Sequence, residues 1–184
     1  NVEADEAAEQ ALRQWSKIMK LPARMAEARN YGGSQGTACL SLAVAHGKFR
    51  IDVHNPKHVR VMEWANREDF IPRRVIKAYS FTRDVYERDS AQMVKKTFWY
   101  VRAWDEEFDR TWAEIPAETA QLANWQDTIA PTHELRHGYG FCPVYWAQNL
   151  PNSQEEDGEG DYEGTEEKID ELNQLLSATT RGTK

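Results

Sequence analysis

Apolar residues recur at three- and four-residue steps through the first stretch of the chain, at Ala8, Leu12, Trp15 and Met19. That spacing predicts an amphipathic helix over Asp5–Lys20. Pro22 interrupts it, and Ala23–Asn30 resumes helix until Tyr31-Gly32-Gly33-Ser34-Gln35-Gly36 releases the chain. The period then drops to two. In Thr37–Ala45, Leu40, Leu42 and Val44 alternate with Thr37, Cys39, Ser41 and Ala43; in Phe49–His54, Phe49, Ile51 and Val53 alternate with Arg50, Asp52 and His54. Joined through His46-Gly47-Lys48, these read as a hairpin, with the Leu/Val/Phe/Ile side expected to face the core.

Further strands are predicted at Val59–Trp64, Val75–Phe81, Val94–Trp104 and Phe108–Ile115, with Asp105-Glu106-Glu107 as a polar turn between the last two. Phe98, Trp99, Tyr100, Val101 and Trp104 put bulk on both sides of one strand, which predicts a central strand covered on two faces. Glu118–Ala130 is ambiguous. After Pro131 and Gly138-Tyr139-Gly140, Phe141–Gln148 reads as a last apolar strand, ending at Asn149-Leu150-Pro151-Asn152. A glycine-containing acidic stretch then hands over to Thr165–Ser177, where Ile169, Leu172 and Leu176 form a helical stripe. No internal repeat is present. The expected class is α+β: an N-terminal helix, an antiparallel β meander, an acidic loop and a C-terminal helix. The corresponding division is an α+β domain over 1–153, an acidic loop over 154–164 and a helix over 165–184.

Composition narrows the classes. With 40% hydrophobic and 29% charged residues in 184, the chain has ordinary globular usage, and wholesale disorder is excluded. No stretch approaches the roughly 18 apolar residues of a membrane helix, and no charged-then-apolar leader opens the chain. The opening Asn1 and a last turn that reads as mid-helix suggest a piece of a longer protein. The net charge of −7 is local. Residues 1–153 balance at 20 acidic and 20 basic side chains, whereas Gln154–Glu171 carries ten acids against Lys168 alone. A neutral body argues against a sequence-independent nucleic-acid binder, which needs a basic stripe. Cys39 and Cys142 are too few for a disulfide scaffold, lack metal-ligand spacing and read as buried small apolar residues, as in a reducing compartment.

Few motifs carry chemistry. His133-Glu134-Leu135-Arg136-His137 matches H-E-x-x-H, in which two histidines one helical turn apart bind zinc and the glutamate activates water. Pro131 and Gly138 leave room for about two turns of helix at most, by ~3.6 residues per turn. The expectation is therefore a solvent-facing loop, with a small zinc metallopeptidase using His133, Glu134 and His137 as the alternative. Asp157-x-Glu159-x-Asp161 hints at a calcium loop, but Tyr162 stands where glycine is needed and Lys168 where the closing glutamate belongs. A looser carboxylate cation site stays open there beside a solvated acidic loop. Gly32-Gly33-Ser34-Gln35-Gly36 lacks a following Lys-Ser/Thr and precedes a strand, so it is no phosphate loop; no G-x-S-x-G elbow occurs.

From His137 onward the residues fall into a familiar order. His137-Gly138-Tyr139-Gly140-Phe141-Cys142-Pro143-Val144-Tyr145-Trp146 comes first, then Asn149-Leu150-Pro151, Gly158-Glu159-Gly160-Asp161-Tyr162-Glu163-Gly164 and Ile169-Asp170-Glu171-Leu172-Asn173-Gln174-Leu175-Leu176-Ser177. This resembles the tailed-bacteriophage portal protein family, with its His-Gly-x-Gly-x-x-Pro-Val strand, Asn-containing turn, Gly-x-Ser-Asp-Tyr-Glu-Gly segment and Ile-Asp-x-Leu-Asn-x-x-Leu-Ser helix. Gly160 stands where the family often has serine. A weaker similarity to the portal wing covers Ala26–Pro56, and residues 57–130 add only compatible strands.

The resemblance implies a structural protein rather than an enzyme, with no cofactor and no catalytic residues. Portals form homo-oligomeric rings, commonly dodecamers, at one capsid vertex. A separate terminase motor pumps DNA through the ring without sequence specificity, and capsid protein and a head–tail adaptor are the other partners. The implied location is the virion's portal vertex, with the host cytoplasm during assembly and no membrane. By this likeness the chain is a wing-domain piece whose final helix heads toward a stem. Carboxylates in the acidic block would repel phosphates and discourage sticking of sliding DNA.

Overall fold

The computed structural model of the chain describes residues 2–45, 48–88, 91–122, 125–150, 157–162 and 165–181. It is α+β. Two helices, α1 (Val2–Ile18) and α2 (Leu21–Gln35), open the chain; Lys20, in the left-handed region at φ 53, turns one into the other. Pro22 sits in the first turn of α2, where a missing N–H costs nothing. Helix α2 does not stop at Gly32-Gly33 but runs through them to Gln35. Gly36, at φ 75, caps it by donating its N–H to the Gly32 carbonyl.

The strands form two antiparallel sheets. β1 (Thr37–Ala45), β2 (Lys48–His54) and β8 (Val144–Gln148) make a small sheet in the order β2-β1-β8. The expected β1–β2 hairpin is present, with Ala45 opposite Lys48; residues 46 and 47 of its turn lie outside the described residues. β3 (Val59–Asn66), β4 (Ile71–Glu87), β5 (Gln92–Trp104), β6 (Phe108–Pro116) and β7 (His133–Arg136) follow one another as a five-stranded meander. β4 and β5 stay paired from Val75–Trp104 out to Glu87–Gln92, well past the predicted strand ends. The predicted turn at Asp105 has a clear cause: its carboxylate Oδ1 accepts the N–H groups of Glu107 (2.9 Å) and Phe108 (2.7 Å).

Two cores result. Between the sheets, Cys39, Val144 and Trp146 pack with Cys142 against Val59, Val75 and Trp104. On the far face of the meander, Val101, Ala103, Trp112 and Ile115 are covered by the ambiguous stretch, which folds as two short helical turns, α3 (Ala117–Ala120) and α4 (Trp125–Thr128). Trp112 meets Trp125 edge-on at 5.3 Å and donates its Nε1–H to the Ile129 carbonyl at 2.9 Å. β5 is thus covered on two faces, as its aromatic content predicts.

The expected core face of the first hairpin is corrected. The side facing the second sheet carries Thr37, Cys39, Ser41 and His54, all buried, whereas Val44 and Phe49 on the leucine side are 41% and 50% exposed. Which side is covered depends on where β3–β5 lie, and the β8 strand that closes the sheet presents Val144 and Trp146 toward them. Beyond β8 the ends of the predicted turn, Pro151 and Asn152, lie outside the described residues, as do 154–156 and 163–164 of the acidic block. The chain ends in α5 (Glu166–Arg181).

Candidate functional site

The H-E-x-x-H residues are not helical: the first four are in a strand and His137 lies just beyond it. His133–Arg136 form β7, the outer strand of the meander, with His133 opposite Thr111 and Glu134 opposite Arg110. An extended chain sets positions four apart about 13 Å from one another, against about 6 Å on a helix. Glu134 is spent in an ion pair with Arg110 Nε at 2.6 Å. His137 uses both ring nitrogens on backbone: Nε2 donates to the Asp105 carbonyl at 3.1 Å and Nδ1 faces the Tyr139 N–H at 3.4 Å. Cross-strand pairing with β6 has taken these residues, and a zincin geometry is not formed. Among the described residues no group of three or more His, Cys, Asp or Glu side chains is arranged to hold a metal ion.

The acidic segment is more built than its composition suggests. Residues 157–161 lie against the end of α2 and the start of β1. Thr37 Oγ1 donates to Asp157 Oδ1 (3.2 Å) and accepts the Gly158 N–H (3.1 Å). The Asp161 N–H reaches the Gly33 carbonyl at 2.7 Å, and Asn149 Nδ2 donates to Asp161 Oδ1 at 2.7 Å. The two glycine clusters explain one another: a Cβ on Gly36 would lie 1.6 Å from the Gly158 carbonyl oxygen, and one on Gly33 would lie 2.6 Å from Asp161 Oδ2. At Gly36 the two backbones are too close for any side chain, whereas at Gly33 the Asp161 carboxylate would have to move. Asn149, Gly158, Gly160 and Asp161, singled out by the family resemblance, are therefore parts of one joint that anchors the chain just before α5.

Between the sheets lies a polar line absent from the sequence reading. Ser41 Oγ is 2.7 Å from His54 Nε2, and His54 Nδ1 is 3.2 Å from Lys77 Nζ. Beside it Arg102 donates twice to Asp109, from Nε (2.9 Å) and Nη2 (2.6 Å), and stacks over Trp104 at 4.8 Å. Burial, then the positive charges of Lys77 and Arg102, push the His54 pKa down to about 4, so the imidazole is neutral near pH 7. Lys77 is lowered too, chiefly by burial and then by Arg102. Burial also acts against the Arg102 cation, but its bonds to Asp109 outweigh this and hold its pKa above the ordinary value.

The arrangement looks like a nucleophile and its base, yet the proton is on the wrong nitrogen. A lysine ammonium has donors only, so Nδ1 must accept, and the single ring proton sits on Nε2, pointing at Ser41. A base already protonated on that nitrogen cannot take the serine proton. With Ser41 1% exposed, the line acts as a clasp that satisfies polar groups where the two sheets meet. Cys39 and Cys142 are free and buried, and burial raises both thiols to about 12, far from a reactive thiolate. The sequence signal for the clasp was the alternation of Ser41 and His54 with apolar neighbours; its partner Lys77 is visible only in three dimensions.

Of the other concave features, one of about 330 Å³ is lined by charged side chains such as Glu63, Arg73 and Arg110, and another is apolar. A cavity of about 500 Å³ opens beside the small sheet, lined by Leu40, Leu42, Ile51, Phe70, Phe141 and Tyr145 among others, with Asp69 as the one charged residue among its described lining. It has the size of a ligand pocket but not the convergent polar groups that fix a small substrate. No family model matches the chain, and no curated protein matches it.

Proposed function

We propose that the chain is the wing portion of a tailed-phage portal protein, a structural subunit of the ring through which DNA enters and leaves the capsid. The observation that carries this reading is the order of segments from His137 to Ser177: glycine strand, Asn turn, acidic glycine segment, then a helix with a leucine stripe. The fold is compatible in a specific way. Asn149 and Gly158–Asp161 form a tight joint against Gly33 and Gly36. Beyond the joint the chain passes into α5, whose side chains from Lys168 to Ser177 are all exposed. A helix that leaves a domain with its apolar stripe uncovered suits a piece that continues into a ring.

Cryo-microscopy of the full-length protein tests the proposal directly. Ring-shaped particles with a central hole are the expected result; a strictly monomeric product under all assembly conditions overturns it. Elemental analysis separates the metallopeptidase alternative, which requires one zinc per chain on His133 and His137, with Glu134 activating water. The strand geometry of those residues gives that alternative no support.

A further inference from the structure

We propose that the apolar groove beside the small sheet receives helix α5 of a second copy of this chain. The inference builds on the ring reading in taking another copy as the occupant, and it goes further by naming the contact. Both halves of the contact are present on every chain. The groove offers Leu40, Leu42, Ile51, Phe70 and Phe141 around a cavity of about 500 Å³. Phe70 is held at φ 52, a left-handed backbone that bulky residues rarely adopt. Such strain persists only where surrounding structure enforces it, so this wall of the groove is built rather than incidental.

The helix offers Ile169, Leu172 and Leu176, which lie on one face and are 47%, 58% and 61% exposed. At 16 residues α5 is marginal as an isolated helix in water, so an amphipathic face left bare calls for cover. Its own domain does not supply that cover, because every side chain from Lys168 to Ser177 is exposed. An apolar helix face laid into an apolar groove is a common recognition mode.

Charge then selects the partner. Among the described residues that line the groove, the one with a charge is Asp69, which is exposed. Lys168, one helical turn before Leu172, is the one cation among the helix side chains from 168 to 177, and it borders the stripe. Docking sets this pair of opposite charges at the rim of an otherwise apolar contact. Because groove and helix are different surfaces, each copy donates one and accepts one. The contact is heterologous and closes into a ring or runs on as an open chain.

The test uses the full-length protein in two versions of different mass, one carrying Leu172→Cys and the other Leu42→Cys, mixed and oxidised. A disulfide joining the two masses is expected, since the native thiols are buried. With both substitutions in one chain, a disulfide formed only within that chain overturns the proposal. So does the absence of any inter-copy disulfide where light scattering shows assembly, and so does a monomer at every concentration. Independently, Lys168→Asp should weaken assembly about fivefold or more, and adding Asp69→Lys should restore it; an unchanged assembly constant in the single variant overturns the pairing. Rings without the cross-link defeat this contact and leave the ring reading standing. The cross-link in particles that are not rings defeats the ring reading and leaves the contact standing.

Discussion

The two faces of the β1–β2 hairpin invert the usual relation between hydrophobicity and burial, while the neighbouring β8 turns Val144 and Trp146 inward as expected. The face carrying Thr37, Cys39, Ser41 and His54 is composed of small and polar side chains, and all four are buried. The face carrying Leu40, Leu42, Val44, Phe49 and Ile51 is richer in apolar area, yet Val44 and Phe49 are half exposed. Transfer free energy alone would choose the second face for the core. What decides instead is the complementary surface. The meander brings Trp104, Val59 and Val75 to the contact, and small residues opposite let a tryptophan fit between two sheets at native packing density. The polar members are tolerated there because they satisfy one another, Ser41 through His54 and His54 through Lys77.

The largest expected effect tests the inner side of that comparison. Trp104 is fully buried at the centre of the inter-sheet core and holds Arg102 against its ring. Trp104→Ala leaves a cavity flanked by two rigid sheets and should cost about 3–5 kcal/mol, read as a shift in denaturant midpoint. Next comes the clasp. His54 has a folded pKa of about 4 against an ordinary value of 6.5, so between those values the unfolded chain binds more protons than the folded one. Stability is therefore intact above pH 6.5 and declines as pH falls toward 4, by about 3 kcal/mol at most. In His54→Gln, which has no proton to take up, the slope through this window should flatten; an unchanged slope would assign it to other groups.

The contrast also marks what could be read from the chain itself. Local devices were legible: the helical stripe of α1, the Asp105 turn and the two-sided strand β5 all follow from residues within a few positions of one another, and the glycine stretch was read as the end of α2, though the helix runs through Gly32-Gly33 and stops only at Gly36. The long-range devices were not. His54 finds Lys77 23 positions away in the other sheet, and Gly36 meets Gly158 at backbone contact only because the chain returns through β8. The H-E-x-x-H residues show the same limit from the other side. Five residues in the right order specify zinc chemistry only on a helix, and here the pairing of β7 with β6, Glu134 opposite Arg110, makes the first four a strand and leaves His137 beyond its end. The acidic segment read as solvated, and Asp157, Glu159 and Asp161 are indeed exposed; what composition does not reveal is that Asp161 is also tied to Asn149 by a hydrogen bond.

Thiol chemistry sharpens the comparison at a smaller cost to stability. Cys39 and Cys142 are buried, Cys142 behind the wall of the groove that it helps to line, with pKa values raised to about 12, so an aromatic disulfide reagent at pH 8 should label neither until the protein unfolds. A cysteine placed on the outer side by Phe49→Cys should react at once. Rapid labelling of both native thiols in the folded protein would mean that the two sheets part far more readily than their packing implies.

The smallest effect belongs to the outer face itself. Phe49 is 50% exposed at the edge strand β2, opposite Val44, and it does not line the groove. Full burial of a phenylalanine contributes roughly 1.5–3 kcal/mol, so a half-buried ring contributes about 1 kcal/mol. No cavity term adds to this, because the site opens to water and neighbouring atoms lose few contacts. Phe49→Ala should therefore move the unfolding midpoint by a fraction of the Trp104→Ala shift, despite removing an aromatic ring from a strand whose pattern predicted a core position. If the two substitutions cost the same, the outer face is covered in solution, and the inversion between the two faces would belong to the isolated chain rather than to its assembled state.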